Sequence, residues 1–381
     1  MELNEKYNNG DYPLLRTINF ENFIIVKLLI EYANQHHIIL ELNEKNIYGY
    51  NSLYWAIFKD NVGIVKLLIE YANQNQIILE LNEKNKYGYN SLYWAIFKDN
   101  VGIVKLIIEY ANHHHIILEL NEKNKDGEYP LHWAIFKDNV EIVKLIIENA
   151  NQHHIILELN EKNKDGEYPL HWAIFKDNVE LVKLLIEYAN QHQIIFNLNE
   201  KNKFEDNPLL ISISNKNIEI VKLLIEYANE HQIILELNEI NKYGYNSLYW
   251  AIFKDNVEIV KLLIEYANQH QVILELNEID NDGYYPLLNA IFNNNIEIIK
   301  LLINYANQHQ LILKLNEKNK FKNYPLYNAI YNNNIEIIIL LIEYANQHKI
   351  ILELNEKNKF EDYPFLKAIS NNNIEIVKLL I

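Results

Sequence analysis

The chain has 381 residues, 49% of them hydrophobic and 23% charged, with a formal net charge of −16. That is enough apolar material for a sizeable core and excludes a disordered chain. The negative charge repels phosphate backbones and anionic headgroups, which leaves a basic or mixed-charge protein as the expected partner, with no nucleic acid and no membrane. The absence of cysteine removes disulfide frameworks and thiolate chemistry and suits a reducing, intracellular and cytoplasmic setting.

At the amino terminus, Met1 to Asp11 is polar and acidic, without the basic start and apolar stretch of a signal peptide, and no apolar run approaches the roughly 20 residues of a membrane span. Beginning at Leu3, the tetrapeptide L-N-E-K or a close variant recurs at Leu42, Leu81, Leu120, Leu159, Leu198, Leu237, Leu276, Leu315 and Leu354, a step of 39 residues each time. A period of this size, kept without a slip, is the mark of a solenoid whose units bury their apolar sides only against one another. No linker interrupts it, so residues 1–381 read as one array, expected to be monomeric, with an incomplete last unit.

The fourth unit, Leu120 to Glu158, shows the order of elements. Asn124 to Glu128 forms a turn around Gly127, and Pro130 suits the first position of a helix. Helix A is predicted from about Pro130 to Lys137, with Leu131, Ala134 and Ile135 as its buried stripe and Asp138-Asn139 as its break. Helix B follows, with Val140, Val143, Ile146 and Ile147 facing inward and Glu141, Lys144 and Glu148 at salt-bridging spacings outside.

Gly127, Pro130, Leu131, His132, Ala134, Ile142, Val143, Ile146, Ile147 and then Leu159-Asn160 stand where the ankyrin repeat has its turn glycine, T-P-L-H-x-A, I-V-x-x-L-L and V-N. The whole chain resembles that family, and seven glycines (Gly10, Gly49, Gly88, Gly127, Gly166, Gly244, Gly283) share the turn position, where positive φ is expected. The resemblance implies an all-α, ankyrin-type solenoid of stacked helix-turn-helix repeats joined by hairpin-like turns. It departs from the family in three respects. The repeat exceeds the usual length of about 33 residues by six, in A-N-Q-H-H-I-I, where helix B should gain about a turn. Tyr129 and its equivalents replace the capping threonine, so those helices should fray, whereas Asn51, Asn90 and Asn246 restore a cap. Glu205, Lys322 and Glu361 replace the turn glycine, so those turns must change geometry or bear strain. Ile381 aligns with Ile30 in mid-helix, and Met1-Glu2-Leu3 with Leu40-Glu41-Leu42, which raises the expectation of a piece of something longer.

Chemistry is scarce. His36, His114, His153, His192, His231, His270, His309 and His348 form one column at the expected end of helix B. Stacked units roughly 8 to 10 Å apart cannot bring a single column to one ion, so these read as solvated helix ends, with adventitious chelation at most from the adjacent histidines His36-His37, His113-His114-His115 and His153-His154. His132 and His171 take the place of the family's structural histidine. Carboxylates such as Glu141 and Glu158 repeat once per unit on an open surface, and no phosphate-binding, dinucleotide or zinc-protease motif is present. No enzyme activity, cofactor or metal is expected.

The five tryptophans, Trp55, Trp94, Trp133, Trp172 and Trp250, precede the helix A alanine, a position that in the resembled family faces the next repeat. Three residues on come Phe58, Phe97, Phe136, Phe175 and Phe253, continued by Phe292 and Tyr331 and interrupted by Ser214 and Ser370. The resemblance puts this ladder on the concave side, as a partner-binding surface or as packing between units. The turn tips vary most: Tyr48 and Tyr50, Tyr87 and Tyr89, Asp126 and Glu128, Asp165 and Glu167, Phe204 and Asp206, Tyr243 and Tyr245, Asp282 and Tyr284, Phe321, and Phe360. Aromatic and acidic groups on a rigid frame are what a recognition surface needs. The preferred function is a scaffold binding a partner protein along the concave face and tips. The alternatives are the recruiting region of a larger enzyme, such as a kinase or ubiquitin ligase, and a spacer without a dedicated partner.

Overall fold

The computed structural model describes residues 3–381; the phase of Met1-Glu2 with Leu40-Glu41 lies outside the described residues. Twenty helices and no strands occur among the described residues. They fall into two compact units, Met1–Phe196 and Asn197–Ile381. In each, short helices stack on short helices and long ones on long ones.

The fourth repeat shows why. Helix A (Pro130–Phe136) starts on a proline, and Asp138 ends it in the left-handed region at φ 58°. Asn139 then caps helix B (Val140–Gln152), its Oδ1 accepting from Ile142 N–H at 3.0 Å. Every long helix has the same asparagine cap. The predicted break is therefore a two-residue device: one residue reverses the chain and the next satisfies an orphan amide.

Leu131, Ala134 and Ile135 are buried as expected, and of the inward face predicted for helix B, Val143 and Ile146 are buried while the rest differs. Ile142, Val143, Ile146, Asn149 and Ala150 are buried, while Val140 and Ile147 are only half-buried. Glu141 and Lys144 also pair differently. Lys105 reaches Glu141 at 2.5 Å and Lys144 reaches Glu180 at 2.7 Å, so both ion pairs join neighbouring repeats rather than turns of one helix. At these exposed positions each contributes little.

Helix B enters the added stretch as far as Gln152. His154 is left-handed at φ 56°, and Ile155 N–H closes on Ala150 O at 2.8 Å, the bond that seals a helix end. The rest of the addition, Ile155 and Ile156, and Leu157-Glu158 after it run without helix.

The tyrosines that replace the capping threonine make no side-chain cap at Tyr12, Tyr168, Tyr285 and Tyr324, yet their helices keep the same seven residues as the Asn-capped ones. Each is buried and bonds, where the partner is seen, to the following repeat. Tyr285 Oη donates to Lys314 O at 2.8 Å, and Tyr324 Oη to Glu353 O at 2.8 Å. The lost cap is replaced by a bond between units. Asn207 joins Asn51, Asn90 and Asn246 as a capping residue.

All seven turn glycines have positive φ, and so do Glu205 (63°), Lys322 (59°) and Glu361 (64°). Of the two expected outcomes, those three turns take strain rather than a new geometry.

Candidate partner-binding face

Each turn tip is built on one buried residue. Asn124 Oδ1 accepts from Asp126 N–H at 2.8 Å and Glu128 N–H at 2.9 Å, and Asn85, Asn163, Asn202, Asn241, Asp280, Asn319 and Asn358 do the same. This Asx arrangement turns the first tip residue outward and the third inward. Tyr48, Tyr87, Asp126, Phe204, Tyr243, Asp282, Phe321 and Phe360 are exposed; Asp165 is half-buried. Tyr50, Tyr89, Glu128, Glu167, Asp206, Tyr245 and Tyr284 are half-buried.

The inward residues hold the frame. Tyr50 stacks on Tyr54 at 4.7 Å and meets the edge of Trp55 at 5.2 Å. Glu128 accepts from Trp133 Nε1 at 2.9 Å and from Asn124 Nδ2 at 2.8 Å. Burial, with Glu128 alongside, pushes the Tyr93 phenol far above its usual range. Burial also raises the Asp206 carboxyl, against a bond from Asn241 at 2.8 Å that lowers it.

Along the first unit the Trp and Phe columns merge into one ladder. Ring centres follow one another from Trp55 to Phe58 (5.3 Å), Trp94 (5.0 Å), Phe97 (5.0 Å), Trp133 (5.0 Å), Phe136 (5.3 Å) and Trp172 (4.9 Å). Phe58, Phe97 and Phe136 pack between repeats and also meet solvent, as the packing reading of the Phe column expects. Phe58 and Phe97 are half-buried, Phe136 is 36% exposed and Phe175 70%. A lysine from the next repeat lies over three of these rings: Lys98 over Phe58 at 4.9 Å, Lys137 over Phe97 at 4.7 Å and Lys176 over Phe136 at 4.3 Å.

In the second unit Phe253, Phe292 and Tyr331 are exposed, but Asn289 and Asn328 stand where a tryptophan would link them. Phe253 stacks instead on Trp250 of its own repeat at 5.2 Å, and Tyr331 lies under Lys367 at 4.7 Å.

The histidine column is not a row of free, solvated side chains. His114, His153 and His192 meet Asn73, Asn112 and Asn151 of the preceding repeat at 2.7, 2.8 and 2.8 Å through Nε2. His114 and His192 also lie against Tyr110 and Tyr188, both at 4.2 Å. The sequence shows the column but not the asparagine 41 residues earlier that holds His114, His153 and His192. Among the described residues no group of three or more His, Asp or Glu is placed to hold a metal ion. His132 is buried, its Nδ1 accepts from Tyr129 N–H at 3.2 Å, and burial lowers its pKa to about 3, which leaves it neutral. His171 is buried with its ring 4.1 Å from Tyr168. Among the described residues no helix is long and apolar enough to cross a membrane.

The family model described as ankyrin repeats (3 copies) matches residues 1–78, 109–197, 141–237, 191–273 and 268–350. No curated protein sequence matches the chain. Among solved structures, the ankyrin repeat domain of Bcl-3, described as a unique member of the IkappaB protein family, is 20% identical with a TM-score of 0.47, over 67% of this chain and 99% of that one. Ankyrin repeats in general mediate protein–protein interaction. On the extent of the family match, this chain belongs to the ankyrin repeat family.

Proposed function

We propose that the chain is a scaffold that binds a partner protein along the helix A face and the outward tip residues. The observation that carries this reading is the aromatic ladder from Trp55 to Trp172, held rigid by ring-on-ring packing, opening to solvent at Phe136 and followed by the 70% exposed Phe175. Pre-positioned rings lose little entropy on contact, so they are effective anchors. Lysines over the rings and acidic groups at Asp126 and Asp165 give this face of the first unit both signs of charge. A mixed-charge protein segment with an apolar anchor suits it. The 39-residue phase runs unbroken through Phe196 and Asn197, which supports reading residues 1–381 as a single array.

The test is a photo-crosslinking phenylalanine analogue placed at Phe175, with Glu70 on the outer side of a long helix as the control position. The protein captured from position 175 alone, once purified, should bind the unaltered chain and lose at least tenfold in affinity to Phe136→Lys/Phe175→Lys. Unchanged affinity in a variant with normal helical content would overturn the reading.

A further inference from the structure

We infer a second docking surface, on the extended segments that follow the long helices, whose occupant is a basic amphipathic helix of a partner protein. Ile39, Ile78, Ile117, Ile156 and Ile195 occupy one register in successive repeats of the first unit and are each between 52% and 60% exposed. Single exposed isoleucines need no explanation. Five in one register make a stripe of roughly a few hundred Å², the size at which an apolar patch on a monomer is often functional.

The segments are locked in register. Asn43 Nδ2 donates to Ile78 O at 2.7 Å, and its Oδ1 accepts from Glu80 N–H at 3.1 Å. Asn4, Asn82 and Asn121 clamp the next repeat in the same way. Tyr110 Oη holds Ile77 O at 3.0 Å and Leu79 N–H at 3.1 Å. Four main-chain groups on the consecutive residues Ile77 to Glu80 are thus already bonded, which weakens main-chain pairing with a partner strand. Recognition falls to the side chains.

Their charge selects the occupant. Two residues beyond the first four isoleucines, on the same exposed side, stand Glu41, Glu80, Glu119 and Glu158. Among the described residues Glu119 has a lysine at 3.8 Å, from Lys84, and no ion pair forms at Glu41, Glu80 or Glu158. An apolar line beside unpaired carboxylates attracts a segment with apolar and basic residues. It repels a second copy of this chain, which carries the same carboxylates, and an anionic membrane. The pitch suits a helix: repeats stack at roughly 10 Å, close to the rise of about 10.5 Å over seven helical residues. One apolar residue per heptad then meets one isoleucine per repeat. The second unit repeats the pattern at Ile234, Ile273 and Ile312, with Glu236 and Glu275 beside the first two and Lys314 beside the third.

The experiment uses the full chain and a fluorescein-labelled 21-residue peptide with leucine at heptad positions a and d and lysine at e and g, followed by anisotropy. Saturable binding is expected, with at least a tenfold loss for Ile78→Asn/Ile117→Asn/Ile156→Asn and for Glu80→Gln/Glu158→Gln. Phe136→Lys/Phe175→Lys should bind the peptide as the unaltered chain does, which separates this surface from the helix A face. A photo-crosslinker at Ile117 should capture the peptide, and this readout stands even where the triple variant folds poorly. Binding untouched by the isoleucine changes, or lost in the phenylalanine variant, would overturn the inference. So would self-association, measured by sedimentation, that disappears in the isoleucine variant, since it would assign the stripe to a second copy.

Discussion

Tyr188, on the long helix of one repeat, closes on Ile155 in the extended segment before it, its hydroxyl donating to the Ile155 carbonyl at 3.1 Å. The same oxygen accepts from Leu157 N–H at 3.0 Å. One phenol thereby ties two main-chain groups that would otherwise be buried without partners, and Tyr71, Tyr110, Tyr266, Tyr305 and Tyr344 repeat the arrangement.

Asn149 takes this place in the fourth repeat, buried, with both its amide oxygen and nitrogen lacking a partner. Unpaired buried polar groups cost about 1–3 kcal/mol. Asn149→Tyr should therefore raise the urea midpoint, by an amount equivalent to about 1–3 kcal/mol, through bonds to the segment before it and added apolar contact. Tyr110→Phe should lower it by a similar amount, because Ile77 O and Leu79 N–H lose their partner. An Asn149→Tyr variant no more stable than the parent would show that the fourth repeat cannot accept the ring.

The turn glycines differ in what a side chain would meet. A Cβ at Gly283 would lie 2.9 Å from the Asn319 main chain, whereas at Gly49 it would lie 3.5 Å from Asn85. Both have φ near +80°, so alanine at either bears left-handed strain of about 1–2 kcal/mol. Gly283→Ala should cost more than Gly49→Ala, and Lys322→Gly should stabilise by up to about 1 kcal/mol as that strain is relieved. Thermal unfolding of the three variants checks the order.

His132 makes stability depend on pH with a definite sign. Burial lowers its folded pKa to about 3 from an ordinary 6.5, so between those values the unfolded chain binds the extra proton. Its contribution is complete above about pH 6.5 and falls away as pH drops toward 3. In urea titrations from pH 7.5 to 5, the unaltered chain should lose midpoint more steeply than His132→Gln. Parallel slopes would mean that the buried ring is protonated without cost.

Phe97 and Phe175 separate packing from recognition. Phe97 lies 5.0 Å from both Trp94 and Trp133, while Phe175 is 70% exposed. Phe97→Ala should destabilise by about 2 kcal/mol or more, in line with partial loss of a buried aromatic. Phe175→Ala should leave the unfolding midpoint within about 0.5 kcal/mol of the parent, as surface changes usually do. A large loss from Phe175→Ala would return that ring to the core.

The repeat length, the two helices per repeat, the glycine turns and the Asp-Asn break were all legible in the sequence, because each rests on local chemistry that recurs in phase. Helix ends, left-handed turns and asparagine caps depend on a few adjacent residues. The face that helix B buries was legible only in part: Val143 and Ile146 are buried as predicted, but a pattern as apolar as V-E-I-V-K-L-I-I offers several stripes. Packing against neighbouring helices chose Ile142 and Ala150 over Val140 and Ile147.

The aromatic face shows the same division most directly. The heptapeptide S-L-Y-W-A-I-F occurs three times with the same residues, yet Phe58 and Phe97 are half-buried while Phe253 is 47% exposed. The following repeat supplies Trp94 to Phe58 and Trp133 to Phe97, but Asn289 stands at that register after Phe253. By itself the sequence determined which residues recur and where the chain turns. Whether a recurring side chain is packed or offered to a partner was decided only by the tertiary structure, because burial belongs to the pair of repeats that meet and not to the residues of either one.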